Sequence, residues 1–104
     1  MIRIAVLYPN ADGKTFDVDY YKNTHMKLVQ EKLDPLGLAG CEVDAGIAGL
    51  GDAPAPYATI GYMFFETLEA FQAGFAQVGA ELVADIPNYT NIEPIIQISD
   101  YEKL

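Results

Sequence analysis

The pattern of hydrophobic and polar positions predicts four strands and two helices. Residues 2–8 follow the two-residue period of a strand, and so do residues 40–49, where one face is more polar. Residues 57–65 are uncharged and rich in aromatic and β-branched side chains, which is typical of a strand buried on both faces. Residues 90–99 are predicted to form the last strand, with Pro94 suited to an edge or a bulge.

Capping residues indicate where the two helices begin and end. Asp17 is placed to cap a helix that runs to about Leu33, where the stretch Asp-Pro-Leu-Gly is expected to end it. Thr67 is placed to cap a second helix over residues 68–83. The predicted order is therefore strand, helix, strand, strand, helix, strand.

Both predicted helices carry a core-facing stripe, and the two stripes have the same spacing. With a rotation of about 100° per residue, stripe positions lie within one arc of roughly 100°. The stripes are Val18, Tyr21, His25, Leu28, Val29 and Lys32 in the first helix, and Leu68, Phe71, Phe75, Val78 and Leu82 in the second. Equivalent positions, including the two caps, lie 50 residues apart. This duplicated βαβ unit predicts an α+β, ferredoxin-like βαββαβ domain over residues 1–104, in which a four-stranded antiparallel sheet has both helices on one face.

The opposite face of this sheet has no cover within the chain. The first, third and last strands supply apolar residues to both faces, so a monomer would expose a patch of roughly several hundred Å². Sheet-to-sheet stacking of two copies removes that patch. We therefore expect a homodimer through the open sheet face.

Composition and charge exclude several classes of function. The 104 residues carry a net charge of −9, which disfavours nucleic acid and anionic membranes as partners. The chain has no apolar run long enough for a membrane span and no signal-peptide pattern, so we expect a cytoplasmic protein. One histidine and one cysteine argue against a metal site, and Gly46–Gly51 does not match a dinucleotide-binding motif. No metal and no cofactor are predicted.

The one histidine, His25, stands where the second helix has Phe75, so its ring is expected to point at the sheet. One interpretation is a packed imidazole satisfied by a single hydrogen bond, with Tyr8, Tyr62 or Glu93 as its partner. The other is a proton donor or acceptor on the wall of a pocket between helix and sheet. The sequence leaves both interpretations open.

Polar-tipped residues on the same stripe favour a pocket for a small molecule. Tyr21 precedes His25 by about one turn and Lys32 follows it by about two. Taken singly, Tyr21 is better explained as a core aromatic residue and Lys32 as a surface lysine. The predicted site has His25 as its catalytic residue and Tyr21, Tyr8, Lys32 and Tyr62 as substrate-binding residues.

Three stretches of the chain resemble the EthD family, named for a protein associated with ethyl tert-butyl ether degradation. They are Tyr8-Pro9, residues 16–29 and residues 86–94, and the most specific match is F-D-x-D-Y-Y-x-x-x-H, ending at His25. The resemblance implies a dimeric α+β barrel. It also implies a wider superfamily that includes muconolactone isomerases, cofactor-free monooxygenases and polyketide cyclases. Some of these relatives use a histidine of the first helix to move a proton, and the resemblance assigns that role to His25.

Two functional hypotheses follow from the residues and the resemblance together. The first is a small enzyme of catabolism or secondary metabolism, an isomerase or a cofactor-free oxidoreductase. It would bind a compact, partly apolar molecule between the first helix and the sheet, with His25 as the proton shuttle. The second is a non-enzymatic accessory or binding module that supports a monooxygenase degradation pathway. A structural dimer with a filled core would fit neither hypothesis.

Overall fold

The computed structural model describes residues 1–104, and its elements follow the predicted order. The strands are β1 (Ile2–Pro9), β2 (Gly40–Ala45), β3 (Tyr57–Phe65) and β4 (Ile95–Asp100). Helix α1 consists of three consecutive segments, Val18–Tyr20, Tyr21–His25 and Met26–Leu33, and helix α2 is Leu68–Ala84. Short 3₁₀ turns follow the helices at Asp34–Leu36 and Ile86–Asn88. None of the helices combines the length and the apolar character that crossing a bilayer requires.

The four strands form one antiparallel sheet in the order β2-β3-β1-β4, and both helices pack on one of its faces. The ferredoxin-like α+β prediction is therefore confirmed. The last strand is shorter than expected, because β4 begins only after Pro94. Residues before it form a turn and a bridge between Phe16 and Thr90 instead. Proline has no backbone N–H to donate to a ladder, which is consistent with the later start.

The predicted caps are present at both helices. The Asp17 side chain accepts a hydrogen bond from the backbone N–H of Tyr20 at 3.0 Å, and Thr67 Oγ1 accepts one from the N–H of Ala70 at 3.1 Å. After α1 the chain turns at Gly37, whose φ of 106° is in the left-handed region that favours glycine. Local sequence signals therefore place these helix termini.

Helix α1 contains one π-helical turn, Tyr21–His25. The backbone N–H of Met26 donates to the carbonyl oxygen of Tyr21, five residues earlier instead of four. Such a turn inserts one extra residue into the helix and rotates every following side chain relative to a regular α-helix.

The inserted residue changes which side chains of α1 face the sheet after His25. Met26, Val29 and Leu33 are buried, and Leu33 is 0% exposed. Lys32 is only partly buried, with its side chain 35% exposed. The prediction that Lys32 lies on the core-facing stripe is therefore wrong, and Leu33 takes that place.

The hydrophobic core lies between the helices and the sheet. β1 contributes Ile4 and Tyr8, and β3 contributes Met63 and Phe65. The helices cover them with Tyr21, Val29 and Leu33 from α1 and with Phe71 and Leu82 from α2. Burial of these side chains positions the inner face of α1, and with it the imidazole of His25.

Candidate functional site

A cavity of about 250 Å³ lies between the helices and the sheet. Thirteen of its fifteen lining residues are hydrophobic, so the wall is almost entirely apolar. Tyr8 of β1 and His25 of α1 are part of this wall and can present a hydroxyl and an imidazole to a ligand. An apolar cavity with a few polar groups on its wall is the usual form of a small-molecule site.

His25 is 6% exposed and is paired with a carboxylate. Its Nδ1 lies 2.9 Å from Oδ2 of Asp85, the residue that directly follows helix α2. The other carboxylate oxygen of Asp85 accepts hydrogen bonds from the Tyr20 hydroxyl at 2.7 Å and from Nδ2 of Asn88 at 2.9 Å. All four side chains thus form one network at the end of α2.

These hydrogen bonds keep Asp85 ionised. Burial by itself disfavours the charged form, but the bonds from Asn88, His25 and Tyr20 outweigh it and lower the pKa of Asp85 below its ordinary value. An ionised carboxylate can only accept hydrogen bonds, so Nδ1 of His25 carries a proton. In the neutral imidazole the lone pair is therefore on Nε2.

Two tyrosines extend the network from Nε2. The Tyr89 hydroxyl lies 3.5 Å from Nε2 of His25 and 2.6 Å from the Tyr8 hydroxyl. The distance of 3.5 Å is at the outer limit of a hydrogen bond, so Tyr89 occupies Nε2 only weakly. A continuous polar chain therefore runs from Asp85 through His25 and Tyr89 to Tyr8.

Three tyrosines of this region keep their protons at neutral pH. Burial raises the pKa of Tyr8, Tyr21 and Tyr89, and charge repulsion between neighbouring hydroxyls raises it further. Each hydroxyl therefore carries a proton, and either Tyr8 or Tyr89 donates its own in the bond between them.

Aromatic packing holds these rings in place. Phe16 meets Tyr8, Tyr21 and Tyr89 edge-on, with ring centroids 4.9, 5.2 and 5.3 Å away. The imidazole of His25 stacks on Tyr21 at 5.3 Å. Phe16 directly precedes the Asp17 cap and thus also acts as the staple of helix α1.

A glycine in β3 makes room for Tyr21. A Cβ atom on Gly61 would collide with the Tyr21 hydroxyl. The hydroxyl therefore lies directly over the backbone of the sheet, where only glycine leaves enough space.

The structure brings three of the five predicted site residues together. Tyr8 and His25 line the cavity, and Tyr21 packs against His25. Lys32 lies outside this cluster, with its Nζ 3.1 Å from Glu81 near the surface. The one-residue shift of the π turn explains this position.

Tyr62 also lies outside the cluster. Tyr62 is one of the lining residues of the cavity, but strand alternation points its side chain to the opposite sheet face from Gly61. There its hydroxyl donates to Asp44 at 2.8 Å, and its ring lies 5.1 Å from the guanidinium carbon of Arg3. Its hydroxyl therefore points away from His25, and its predicted role in substrate binding stays a prediction.

Sequence reasoning missed Asp85 and Tyr89, the two residues whose side chains hydrogen-bond to the imidazole. The proposed partners of His25 were Tyr8, Tyr62 and Glu93, and none of the three bonds to it directly. Tyr89 lies within the 86–94 stretch that resembles the EthD family, which was the only available signal for it. Asp85 had none, because 60 residues separate it from His25.

Neither a metal site nor a reactive thiol accompanies the cluster. No group of three or more His, Cys, Asp or Glu side chains is placed to hold a metal ion. Burial, and secondarily the charge of Asp34, raises the pKa of the Cys41 thiol to about 11. Cys41 is therefore a thiol, and not a thiolate, at neutral pH.

Solved structures with the same fold include two EthD-like proteins. An EthD-like protein from Ralstonia eutropha JMP134 matches with a TM-score of 0.89 and 36% identity, over 95% of this chain and 89% of that one. An ethyl tert-butyl ether degradation (EthD) family protein from Bacillus halodurans C-125 matches at 0.77 with 17% identity, over 98% and 99% of the two chains. A protein from Arabidopsis thaliana matches at 0.70 with 11% identity, over 100% and 98%. The last two show the fold alone.

The sequence itself matches one family model. A search of curated proteins found no significant match. The model of the EthD domain matches residues 13–93, which include the π turn, His25, Asp85 and Tyr89. With this match and the 36% identity to the Ralstonia protein, the chain belongs to the EthD family.

Proposed function

We propose that the protein binds a small, partly apolar organic molecule in the cavity and that His25 moves a proton on it. The observation that carries this proposal is a buried imidazole on the wall of an otherwise apolar cavity, held by an ionised carboxylate. Isomerisation is the reaction that these groups support best, because it needs only one proton removed and one returned.

The base in this reaction is Nε2 of His25. It takes a proton from a carbon next to a carbonyl group, so that a C–H bond breaks, an N–H bond forms and the electron pair moves onto the carbonyl oxygen. Asp85 stabilises the resulting imidazolium at 2.9 Å. When the substrate carries a carbon–carbon double bond beside the deprotonated carbon, the intermediate is a dienolate, and return of the proton to its far carbon, with the double bond shifted and the carbonyl restored, completes the isomerisation.

Tyr8 is placed to stabilise the oxygen on which charge develops. Its hydroxyl is protonated at neutral pH, belongs to a residue of the cavity wall and bonds to Tyr89 at 2.6 Å. A donor that is already oriented before the reaction lowers the barrier most in a site that excludes water. Tyr21 and Phe16 act as positioning residues, because they hold the rings of His25 and Tyr8.

Proton exchange on a simple ketone tests the proposal. The rate of deuterium uptake by 2-indanone in D₂O, followed by NMR, should be higher with the protein than in buffer. His25→Phe, which copies Phe75 of the second helix, should lower the enzymatic rate by about 10²- to 10⁴-fold. Lys32→Ala is the matched control on the same helix and should leave the rate unchanged. An undiminished rate in His25→Phe would contradict the role of His25.

One observation favours the accessory or binding module as a second candidate. Both nitrogens of His25 have partners in the protein, Asp85 at 2.9 Å and Tyr89 at 3.5 Å, so the ring is held in place without a ligand. In that case 2-indanone should bind equally well to the wild type and to Tyr8→Phe, and neither protein should accelerate its deuterium uptake. A thermal-shift titration combined with the NMR assay separates the two candidates.

We also propose that two copies associate through the open sheet face. Leu7, Ile60 and Ile95 stand side by side on this face in neighbouring strands, and Ile95 is 54% exposed. A second copy stacked on this face would remove these apolar side chains from water, and we therefore expect a dimer. Size-exclusion chromatography with light scattering should give twice the chain mass of 11.4 kDa.

Charge on the same face should separate the two copies. Ile60→Lys is expected to yield a monomer, because an unpaired charge would be buried between the sheets. Gln72→Lys, on the exposed side of helix α2, is the control and should leave the mass unchanged. A wild-type protein with the mass of a single chain would contradict the proposal.

A further inference from the structure

We infer that the cavity selects an uncharged carbonyl compound or phenol and rejects carboxylates and phosphates. The inference deepens the proposed function and rests on it for the identity of the site. Its own basis is the distribution of charge around the cavity.

No cationic side chain except His25 itself can compensate an anion in the cavity. The chain has only six lysines and arginines, and none of them lines this cavity. Arg3 lies on the other face of the sheet, 4.1 Å from the Tyr101 ring, and Lys32 pairs with Glu81. The remaining four, Lys14, Lys22, Lys27 and Lys103, are exposed.

The pair formed by His25 and Asp85 carries no net positive charge in either protonation state of His25. With His25 neutral, the pair formed with Asp85 has a charge of −1, and with His25 protonated the two charges cancel. The whole chain has a net charge of −9, which repels anions further. A carboxylate would thus lose its hydration and gain no opposite charge in return.

The wall suits a molecule with one oxygen atom. Tyr8 offers a hydroxyl donor and His25 a nitrogen, while the lining is otherwise almost entirely hydrophobic. The volume of about 250 Å³ is just below the range of roughly 300–1,000 Å³ found for drug-sized ligands, so a compact ring compound fits best.

The cavity is also bordered by apolar residues that remain open to solvent. Val83 of α2 and Ile96 of β4 line it and are 53% and 55% exposed. A ligand that enters between α2 and β4 therefore passes hydrophobic side chains, which disfavours a hydrated anion at this step as well.

Two ligands with one skeleton test the charge preference. The affinities of 2-indanone and indane-2-carboxylate for the full chain are measured at pH 7 by isothermal titration calorimetry. We expect 2-indanone to bind at least about tenfold more tightly. Equal or tighter binding of the carboxylate overturns the inference. Failure of 2-indanone, acetophenone and p-cresol all to bind overturns it too, because these compounds represent the proposed class.

A cation placed at the border should weaken the preference. Val83→Lys adds a positive charge at a half-exposed lining position, and it should increase the affinity for indane-2-carboxylate at least about fivefold. Ala84→Lys, one residue further and outside the lining, is the matched control and should change it less than about twofold. An equal increase in both variants overturns the inference, because overall charge would then set the affinity.

The charge selection and the proposed reaction can be refuted separately. A wild-type protein that binds 2-indanone selectively without exchanging its protons refutes the proposed reaction and supports the charge selection. A protein that exchanges protons but binds both ligands equally refutes the charge selection alone.

Discussion

Helices α1 and α2 occupy equivalent places in the two halves of the fold, but they differ in chemistry and in geometry. At equivalent positions α1 has Tyr21 and His25 and α2 has Phe71 and Phe75. Helix α2 is regular over 17 residues, whereas α1 contains the π turn Tyr21–His25. One copy of the repeat thus retains apolar packing while the other carries the polar site.

The difference shows what a polar group inside a duplicated core requires. A buried imidazole is tolerated when its nitrogens find partners, and the partners of His25 come from the chain that follows α2. Asp85 and Tyr89 therefore belong to the second half and serve the first. The hydrogen-bond network around His25 is therefore built from both halves of the repeat.

The largest effect expected from this comparison concerns residues 32 and 33. Near the end of α1 the buried residue that packs in the core is Leu33. In α2 the corresponding buried residue is Leu82, which by the spacing of 50 is equivalent to Lys32 and not to Leu33. Leu33→Ala should lower the free energy of unfolding by about 2–5 kcal/mol, and Lys32→Ala by less than about 1 kcal/mol. Urea denaturation measures both. The opposite order would show that α1 is a regular α-helix in solution.

The next largest effect concerns Asp85, whose carboxylate pairs with His25 of the first half. Asp85→Ala leaves Nδ1 of His25 buried without its partner, which should cost about 1–3 kcal/mol. Asp52→Ala, in an exposed loop, is the control and should change stability by less than about 0.5 kcal/mol.

The cost of Asp85→Ala should depend on pH. The pKa of Asp85 is depressed in the folded state, so its stabilisation is complete above the ordinary value of 3.8 and is lost as pH falls through the lower folded value. Unfolding curves from about pH 6 down to about pH 3 should therefore show the wild type and the variant converging. A constant difference would contradict the ionised state of Asp85.

A smaller effect is expected at Gly79, which is equivalent to Val29 of the first helix. A Cβ atom on Gly79 would lie 2.6 Å from the ring of Phe75, so the ring must turn, and Phe75 lines the cavity. In Gly79→Ala the gain in helix propensity offsets part of the strain, leaving a net loss of about 1 kcal/mol. Calorimetry with 2-indanone should show weaker binding. Gly74→Ala, whose Cβ has ordinary contacts at 3.4 Å with Leu33 and Leu36, should bind it normally.

The smallest effect is spectroscopic and concerns the tyrosines. Burial raises the pKa of Tyr8, Tyr21 and Tyr89, so the stabilisation from keeping them neutral is present below about pH 10 and is lost as pH rises through the folded values. In an ultraviolet titration of the native protein, these three of the seven tyrosines should not ionise before unfolding. Ionisation of all seven near pH 10 without loss of structure would contradict their burial.

Most of the fold could be predicted from the sequence, and the confirmed features are local ones. The caps at Asp17 and Thr67 and the end of α1 at Leu33 depend on residues a few positions apart. The stripe with Tyr21 and His25 depends on helical periodicity alone, and both residues are indeed buried. Short-range hydrogen bonds and side-chain periodicity set these features, so a linear pattern reveals them.

The sequence by itself thus determined the βαββαβ order, the packing of both helices on one face of the sheet and the inward orientation of His25. Only the tertiary structure decided that Leu33 and not Lys32 is buried after the π turn, that the Tyr62 side chain points to the sheet face opposite His25, and that Asp85 and Tyr89 complete the site. The physical reason is the range of the interactions. The contacts of His25 with Asp85 and Tyr89 span 60 and 64 residues. No local pattern encodes such contacts before the chain has folded.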